Sequence, residues 1–114
     1  MRKPEIWHNP RCSKSRQTLA LLEERGLELE VVLYLKDPPD RARLQEVLGL
    51  LEMQPSELIR SKEALFKELE LKGASEEALL DAMAANPKLI ERPVVIVDGR
   101  AALGRPPEQV LELF

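Results

Sequence analysis

Apolar residues in this chain fall into short strand-like runs separated by longer stretches with helical spacing. Strands are predicted at residues 5–8, 29–34, 94–97 and 100–103, because these runs are short, largely apolar or alternating, and bounded by turn residues. The pair Asp98-Gly99 separates the last two runs, which is a strong signal for a hairpin. The first two strands are instead separated by enough residues for a crossover helix.

Helical spacing predicts a first helix from about Ser13 to Arg25, with Leu19 and Leu22 on one face and Gly26 just beyond its end. Asp40 is the predicted N-cap of a second helix. The predicted inner face of that helix carries Leu44, Val47, Leu48 and Leu51.

Further short helices are predicted after Pro55, around residues 65–69 and after Ser75, and a last helix is predicted to end near Phe114. The order is therefore β-α-β, a helical insertion, then β-β-α. A βαβ unit joins parallel strands and a hairpin joins antiparallel ones. The predicted fold is α/β and thioredoxin-like, with a small four-stranded mixed sheet and an inserted helical subdomain. We expect one domain over residues 1–114, with a core at 1–36 and 87–114 and an insertion at about 40–86.

Composition narrows the functional classes. The 114 residues are 44% hydrophobic and 32% charged, which is an ordinary globular mixture, and no apolar run is long enough for a membrane span. The net charge of −3 argues against a nucleic acid as the partner. A single cysteine cannot form an internal disulfide, so a cytoplasmic location is expected.

The single cysteine, Cys12, lies where the first strand turns into the first helix. Free backbone N–H groups and the helix dipole favour an anion there, and Arg11, Lys14 and Arg16 surround it. Both features lower the pKa of a thiol, so we expect a reactive thiolate with a pKa below neutrality on a partly exposed sulfur. The alternative, a buried structural cysteine, does not explain the basic neighbours.

His8 and Ser15 flank Cys12 in sequence. His8 is either a second cation or proton carrier near the sulfur, or a strand-end histidine bonded to the backbone. Ser15 either donates a hydrogen bond to the sulfur or satisfies the first helical turn. It also stands where a C-x-x-C pair has its second cysteine, so that disulfide cannot form. With no other Cys or His, no zinc site is expected.

Three later arginines, Arg60, Arg92 and Arg105, lie beside breaks in the regular pattern. Guanidinium groups match tetrahedral oxyanions through paired N–H donors. A solvated surface position is the alternative for each arginine, and spacing alone does not select these three.

Residues 8–16 read H-N-P-R-C-S-K-S-R. This run resembles the H-N-P-x-C-x-x-S-R signature of the glutaredoxin-linked arsenate reductases. The similarity continues in matching order at residues 33–39, 58–60, 86–95 and 104–106. The run R-C-S-K-S is similar to that of the short chromosomal members of the family.

The resemblance implies reduction of arsenate to arsenite. Cys12 would attack arsenate to form a thioarsenate adduct, glutathione would attack the adduct, and a glutaredoxin would resolve the mixed disulfide. No metal and no tightly bound cofactor are implied. By position, the resemblance gives roles to a further set of residues: His8 and Ser15 would tune the thiolate, Arg60, Arg92 and Arg105 would bind the oxyanion, Arg16 would support the site, and Pro93 would be the cis-proline beside the cysteine.

Two other functions are compatible with a single reactive cysteine. One is a monothiol, glutathione-linked oxidoreductase that acts on mixed disulfides. The other is a redox-sensing regulator that binds RNA polymerase, because relatives of that kind share this fold. Such regulators typically switch through a C-x-x-C pair, which Ser15 removes.

Overall fold

A four-stranded mixed sheet forms the framework of the computed structural model, which describes residues 3–114. Its strands run in the order β2-β1-β3-β4. Strands β1 and β2 are parallel, and the β1–β3 and β3–β4 pairs are antiparallel. The mixed sheet predicted from the sequence is therefore confirmed. The strands are β1 (Glu5–Trp7), β2 (Glu30–Val32), β3 (Val94–Val97) and β4 (Arg100–Leu103).

The helices follow the predicted order, and two of them begin at the predicted caps. The Asp40 side chain accepts a hydrogen bond from the Arg43 N–H at 2.8 Å, and Ser75 accepts one from the Ala78 N–H at 3.1 Å. Within residues 3–114, no helix has both the length and the apolar character needed to cross a bilayer. The helices are α1 (Ser13–Glu24), α2 (Arg41–Leu51), α3 (Pro55–Leu58), α4 (Ala64–Glu68) and α5 (Glu76–Ala85), with 3₁₀ helices at Pro87–Leu89 and Pro107–Leu113.

The second strand is shorter than predicted. It ends at Val32 because the next carbonyl, that of Leu33, accepts hydrogen bonds from the N–H groups of Lys36 and Asp37 at 2.8 and 2.9 Å. The chain thus turns away from the sheet before Tyr34. The hairpin turn was predicted correctly: Asp98 and Gly99 have φ values of 48° and 73°, which suit the tight turn between β3 and β4.

The chain divides into two compact units. The first comprises the described residues up to Asp37 together with Arg92–Phe114, and its core is built on Ile6, Leu22, Val95 and Val110. The second is Pro38–Glu91. The predicted insertion ended at about residue 86, whereas the 3₁₀ helix at Pro87–Leu89 lies with the second unit. In this unit, α2 and α3 both pack on α5 and bury Leu44, Val47, Leu58, Leu79 and Met83.

Candidate active site

A tight turn places Cys12 at the N-terminus of α1. The Cys12 N–H donates to the Asn9 carbonyl at 3.0 Å, and the Arg11 N–H donates to Asn9 Oδ1 at 3.0 Å. The Arg16 guanidinium then donates to the Pro10 carbonyl at 2.8 Å, which ties the turn to the first turn of α1. Cys12 is the N-cap residue, in an extended conformation, so its side chain stands at the free N–H groups of the helix.

The Cys12 thiol lies among donors that favour its thiolate. Burial alone would raise the pKa of Cys12, but the backbone N–H groups of Ser15 and Lys14 and the guanidinium of Arg92 outweigh it, so the pKa is lowered. The sulfur is less accessible than predicted, because Cys12 is only 8% exposed. Burial therefore opposes ionisation at this site, and the donors overcome it.

The sequence predicted that the neighbours Arg11, Lys14 and Arg16 supply positive charge at Cys12. The cation identified beside the thiol is Arg92, from the start of the segment that leads into β3. Arg11, Lys14 and Arg16 all have exposed side chains. Solvent screens charges at such positions, so their effect on the thiol is weak.

His8 and Ser15 form a buried hydrogen bond next to the cysteine. His8 Nδ1 and Ser15 Oγ are 2.6 Å apart, and Ser15 Oγ also accepts the Asn9 N–H at 3.0 Å. Burial is the main cause that lowers the pKa of His8, and the charge of Arg16 lowers it further against the opposing charge of Glu23. His8 is therefore predominantly neutral at neutral pH, and it is not the second cation that one interpretation of the sequence suggested.

Ser15 acts on the sulfur through its backbone. The hydrogen bond that stabilises the thiolate comes from the Ser15 N–H. Its hydroxyl is occupied by His8 and Asn9 instead. Ser15 is fully buried, so this hydroxyl also holds the turn and the helix together.

Arg92 and Pro93 directly precede β3, and the Arg92 guanidinium acts on Cys12. The Arg92-Pro93 peptide bond is cis, as predicted. Gly104 donates its N–H to the Pro93 carbonyl at 2.9 Å. A Cβ on Gly104 would lie 2.5 Å from Thr18 Oγ1 and 2.7 Å from Pro93 Cγ, so only glycine fits between α1 and Pro93.

Arg105 directly follows this packed glycine. Its side chain is exposed, and its peptide bond to Pro106 is also cis. Gly104 and Thr18 were not recognised as site-building residues from the sequence. The run G-R-P was visible, but the close approach of Gly104 to α1 depends on the tertiary fold.

Arg60 belongs to the second unit, where acidic side chains surround it. Its guanidinium lies 3.3 Å from a Glu63 carboxylate oxygen and 3.9 Å from Glu91, and Nη1 donates to the Lys88 carbonyl at 3.4 Å. The Lys88 ammonium is 3.2 Å from Glu63. Because Arg60 and Cys12 lie in different units, their convergence stays a prediction.

Among residues 3–114, no group of three or more His, Cys, Asp and Glu side chains is arranged to hold a metal ion. The arrangement around Cys12 offers a thiol nucleophile and an adjacent guanidinium, both from the first unit. Such a site suits attack on a small anion whose charge the guanidinium can partly offset.

Comparison with known sequences decides the family. The sequence model of the ArsC family matches residues 7–113 of this chain. The chain belongs to the ArsC family. The match includes the cysteine turn, the helical insertion and the Arg92 and Arg105 segments, so it extends over both units.

Individual members of the ArsC family are similar over nearly their full length. An arsenate reductase from Neisseria meningitidis is 48% identical over 109 residues, covering 93% of each chain. The uncharacterized protein YfgD of Escherichia coli is 59% identical over 112 residues, covering 96% of this chain and 94% of its own.

A solved structure confirms the fold. The arsenate reductase from Vibrio cholerae superposes with a TM-score of 0.95 at 48% identity, covering 98% of each chain. The α/β, thioredoxin-like fold with its four-stranded mixed sheet is thus the fold of this ArsC family member.

Proposed function

We propose that this protein reduces arsenate to arsenite through Cys12, with glutathione and a glutaredoxin as the source of electrons. The observation that carries the proposal is the Cys12 thiol, whose pKa is lowered by the N–H groups of Ser15 and Lys14 and by Arg92. Relatives named arsenate reductases that are 48% identical over most of the chain support arsenate as the substrate.

The first step is a substitution at arsenic without a change of oxidation state. The Cys12 thiolate attacks arsenate, an S–As bond forms, and one arsenate oxygen leaves as water after taking up protons. Arg92 offsets negative charge on the arsenate oxygens as the thiolate approaches. Arg60 and Arg105 are proposed to bind the remaining oxygens, in the roles that the resemblance implies.

The second step moves two electrons. A glutathione thiolate attacks the Cys12 sulfur, an S–S bond forms, and the electron pair of the S–As bond leaves with arsenic. Arsenic(V) becomes arsenic(III), while the two thiols become a mixed disulfide. The second thiol must come from outside the chain, because Cys12 is its only cysteine and Ser15 stands at the resolving position.

The third step regenerates the enzyme. A glutaredoxin thiolate attacks the glutathione sulfur of the mixed disulfide and releases the Cys12 thiolate. The cycle needs no metal and no tightly bound cofactor. It needs a reduced thiol pool, and this requirement supports a cytoplasmic location.

The proposal is tested by NADPH consumption in the presence of arsenate, glutathione, glutathione reductase and glutaredoxin. We expect turnover that requires each thiol component and disappears in Cys12→Ser. Sustained turnover with thioredoxin as the only reductant would contradict the proposal. If a glutathionylated peptide were reduced while arsenate was not, the protein would instead be a monothiol oxidoreductase of mixed disulfides.

A further inference from the structure

A basic cleft lies on the first unit beside the turn that carries Cys12. It has a volume of about 340 Å³, which is within the range of small-molecule sites. Its walls combine the turn with the segment that follows β2. The residues that shape it are His8, Pro10, Arg11, Leu33, Leu35 and Lys36.

Charge and polarity in this cleft select a particular kind of ligand. The two ionised side chains of the lining, Arg11 and Lys36, are both cationic and exposed, and the lining contains no carboxylate. Leu35 is 44% exposed and adds an apolar wall. A ligand with two separated carboxylates complements the two cations of this surface.

Position links the cleft to the chemistry of Cys12. Arg11 directly precedes the cysteine, and consecutive Cα atoms are only about 3.8 Å apart. An extended tripeptide spans roughly 10 Å, which is long compared with the separation of Arg11 from the next residue, Cys12. The turn itself is held firmly, because Arg16 donates to the Pro10 carbonyl and Asn9 accepts the Arg11 N–H.

We propose that this cleft binds free glutathione and presents its thiol to Cys12, with Arg11 and Lys36 pairing with its two carboxylates. The assignment rests on the proposed function, because that function gives the bound thiol its use in the reduction of arsenate. It gives Arg11 a role as a determinant of reductant specificity, which is separate from activation of the thiol.

The test separates glutathione binding from arsenate turnover. S-methylglutathione, which cannot react, is titrated into the protein at low ionic strength, and binding is followed by calorimetry. We expect each of Arg11→Gln and Lys36→Gln to raise the Kd about 2- to 5-fold and the double variant to raise it roughly tenfold. The double variant Arg25→Gln/Lys67→Gln removes the same charge from other exposed positions and should leave the Kd unchanged.

Steady-state kinetics complete the test. In the double variant Arg11→Gln/Lys36→Gln, the KM for glutathione should rise while the KM for arsenate stays constant. The inference is overturned if S-methylglutathione does not bind, if the cleft variant and the control variant bind it equally, or if the KM for arsenate rises instead. Binding of S-methylglutathione to a protein that does not reduce arsenate would overturn the proposed function and leave the cleft assignment standing.

Discussion

The pKa of Cys12 is lowered by groups that meet it only in the folded chain. Two of its hydrogen bonds come from the helix that begins next to it, but the nearby charge comes from Arg92. The sequence predicted the helix end and thus the position of Cys12 at the N-terminus of α1. It could not reveal Arg92 as the partner, because that contact depends on how β3 pairs with β1.

Removal of Arg92 should therefore raise the pKa of Cys12. The Arg92→Ala variant loses both the charge and the hydrogen bond to the thiolate, while the N–H donors of Ser15 and Lys14 remain. In the wild type, the thiolate is retained until the pH falls through its lowered pKa. In Arg92→Ala, it should be lost at a higher pH. The measurement is ultraviolet thiolate absorbance against pH, with alkylation rates as a check.

Arg25→Ala is the matched control, because Arg25 lies at the far end of α1 with an exposed side chain. Its titration should coincide with that of the wild type. An unchanged midpoint in Arg92→Ala would show that the helix N-terminus alone activates the thiol.

Ser15→Ala separates the serine hydroxyl from its backbone. The variant should unfold more easily, by about 1–3 kcal/mol, because Asn9 N–H and His8 Nδ1 lose a buried partner. The pKa of Cys12 should change little, since alanine keeps the N–H that binds the sulfur. Urea unfolding and the same thiolate titration measure the two effects.

The exposed Ser13→Ala serves as the comparison for loss of a hydroxyl in α1. It should leave stability nearly unchanged. A large rise in the thiol pKa of Ser15→Ala would mean that the hydroxyl, and not the backbone, is the donor.

Among the elements, Gly104 sets the spacing between α1 and the loop after β4. Gly104→Ala should destabilise the protein by about 1–3 kcal/mol, because its Cβ would overlap Thr18 Oγ1 and Pro93 Cγ. It should also slow alkylation of Cys12. A shift of Pro93 would also move its neighbour Arg92, which lowers the pKa of the thiol. Thermal unfolding and alkylation kinetics provide the readouts.

Gly49→Ala is the control, because a Cβ there meets nothing within 4 Å and Gly49 lies inside α2. Alanine should stabilise that helix by about 0.5–1 kcal/mol. If both glycine variants were equally stable, the packing of Gly104 would not constrain the site.

Local signals predicted most elements. Asp40 and Ser75 are observed caps, and the Asp98-Gly99 turn joins the expected strands. The end of β2 escaped prediction, because apolar residues continue through Tyr34 after the chain has turned. Tyr34 is 1% exposed, so its apolar character reflects burial outside the sheet.

Over the whole molecule, the arginines proposed for the oxyanion come from both units. Arg92 and Arg105 lie in the first unit and Arg60 in the second. We expect Arg60→Ala and Arg105→Ala each to weaken arsenate handling by roughly 1.5–3 kcal/mol in kcat/KM. Lysine should rescue only partly, because an ammonium lacks the paired donors of a guanidinium.

Arg25→Ala again controls for the loss of one positive charge and should keep wild-type kinetics. Wild-type kcat/KM in both Arg60→Ala and Arg105→Ala at low arsenate would contradict their proposed role. The sequence suggested these positions only through the family resemblance, since hydropathy and spacing do not distinguish them from other arginines.

A single turnover without glutaredoxin tests most directly whether arsenate reduction passes through Cys12. Reduced protein is mixed with arsenate and glutathione, arsenite is quantified by chromatography, and the protein is analysed by intact mass and peptide mapping. We predict one arsenite per chain, with glutathione joined to Cys12 by a disulfide. No release from Cys12→Ser is expected. Arsenite release that leaves Cys12 unmodified, or equal release from Cys12→Ser, would contradict the central claim that reduction passes through this sulfur.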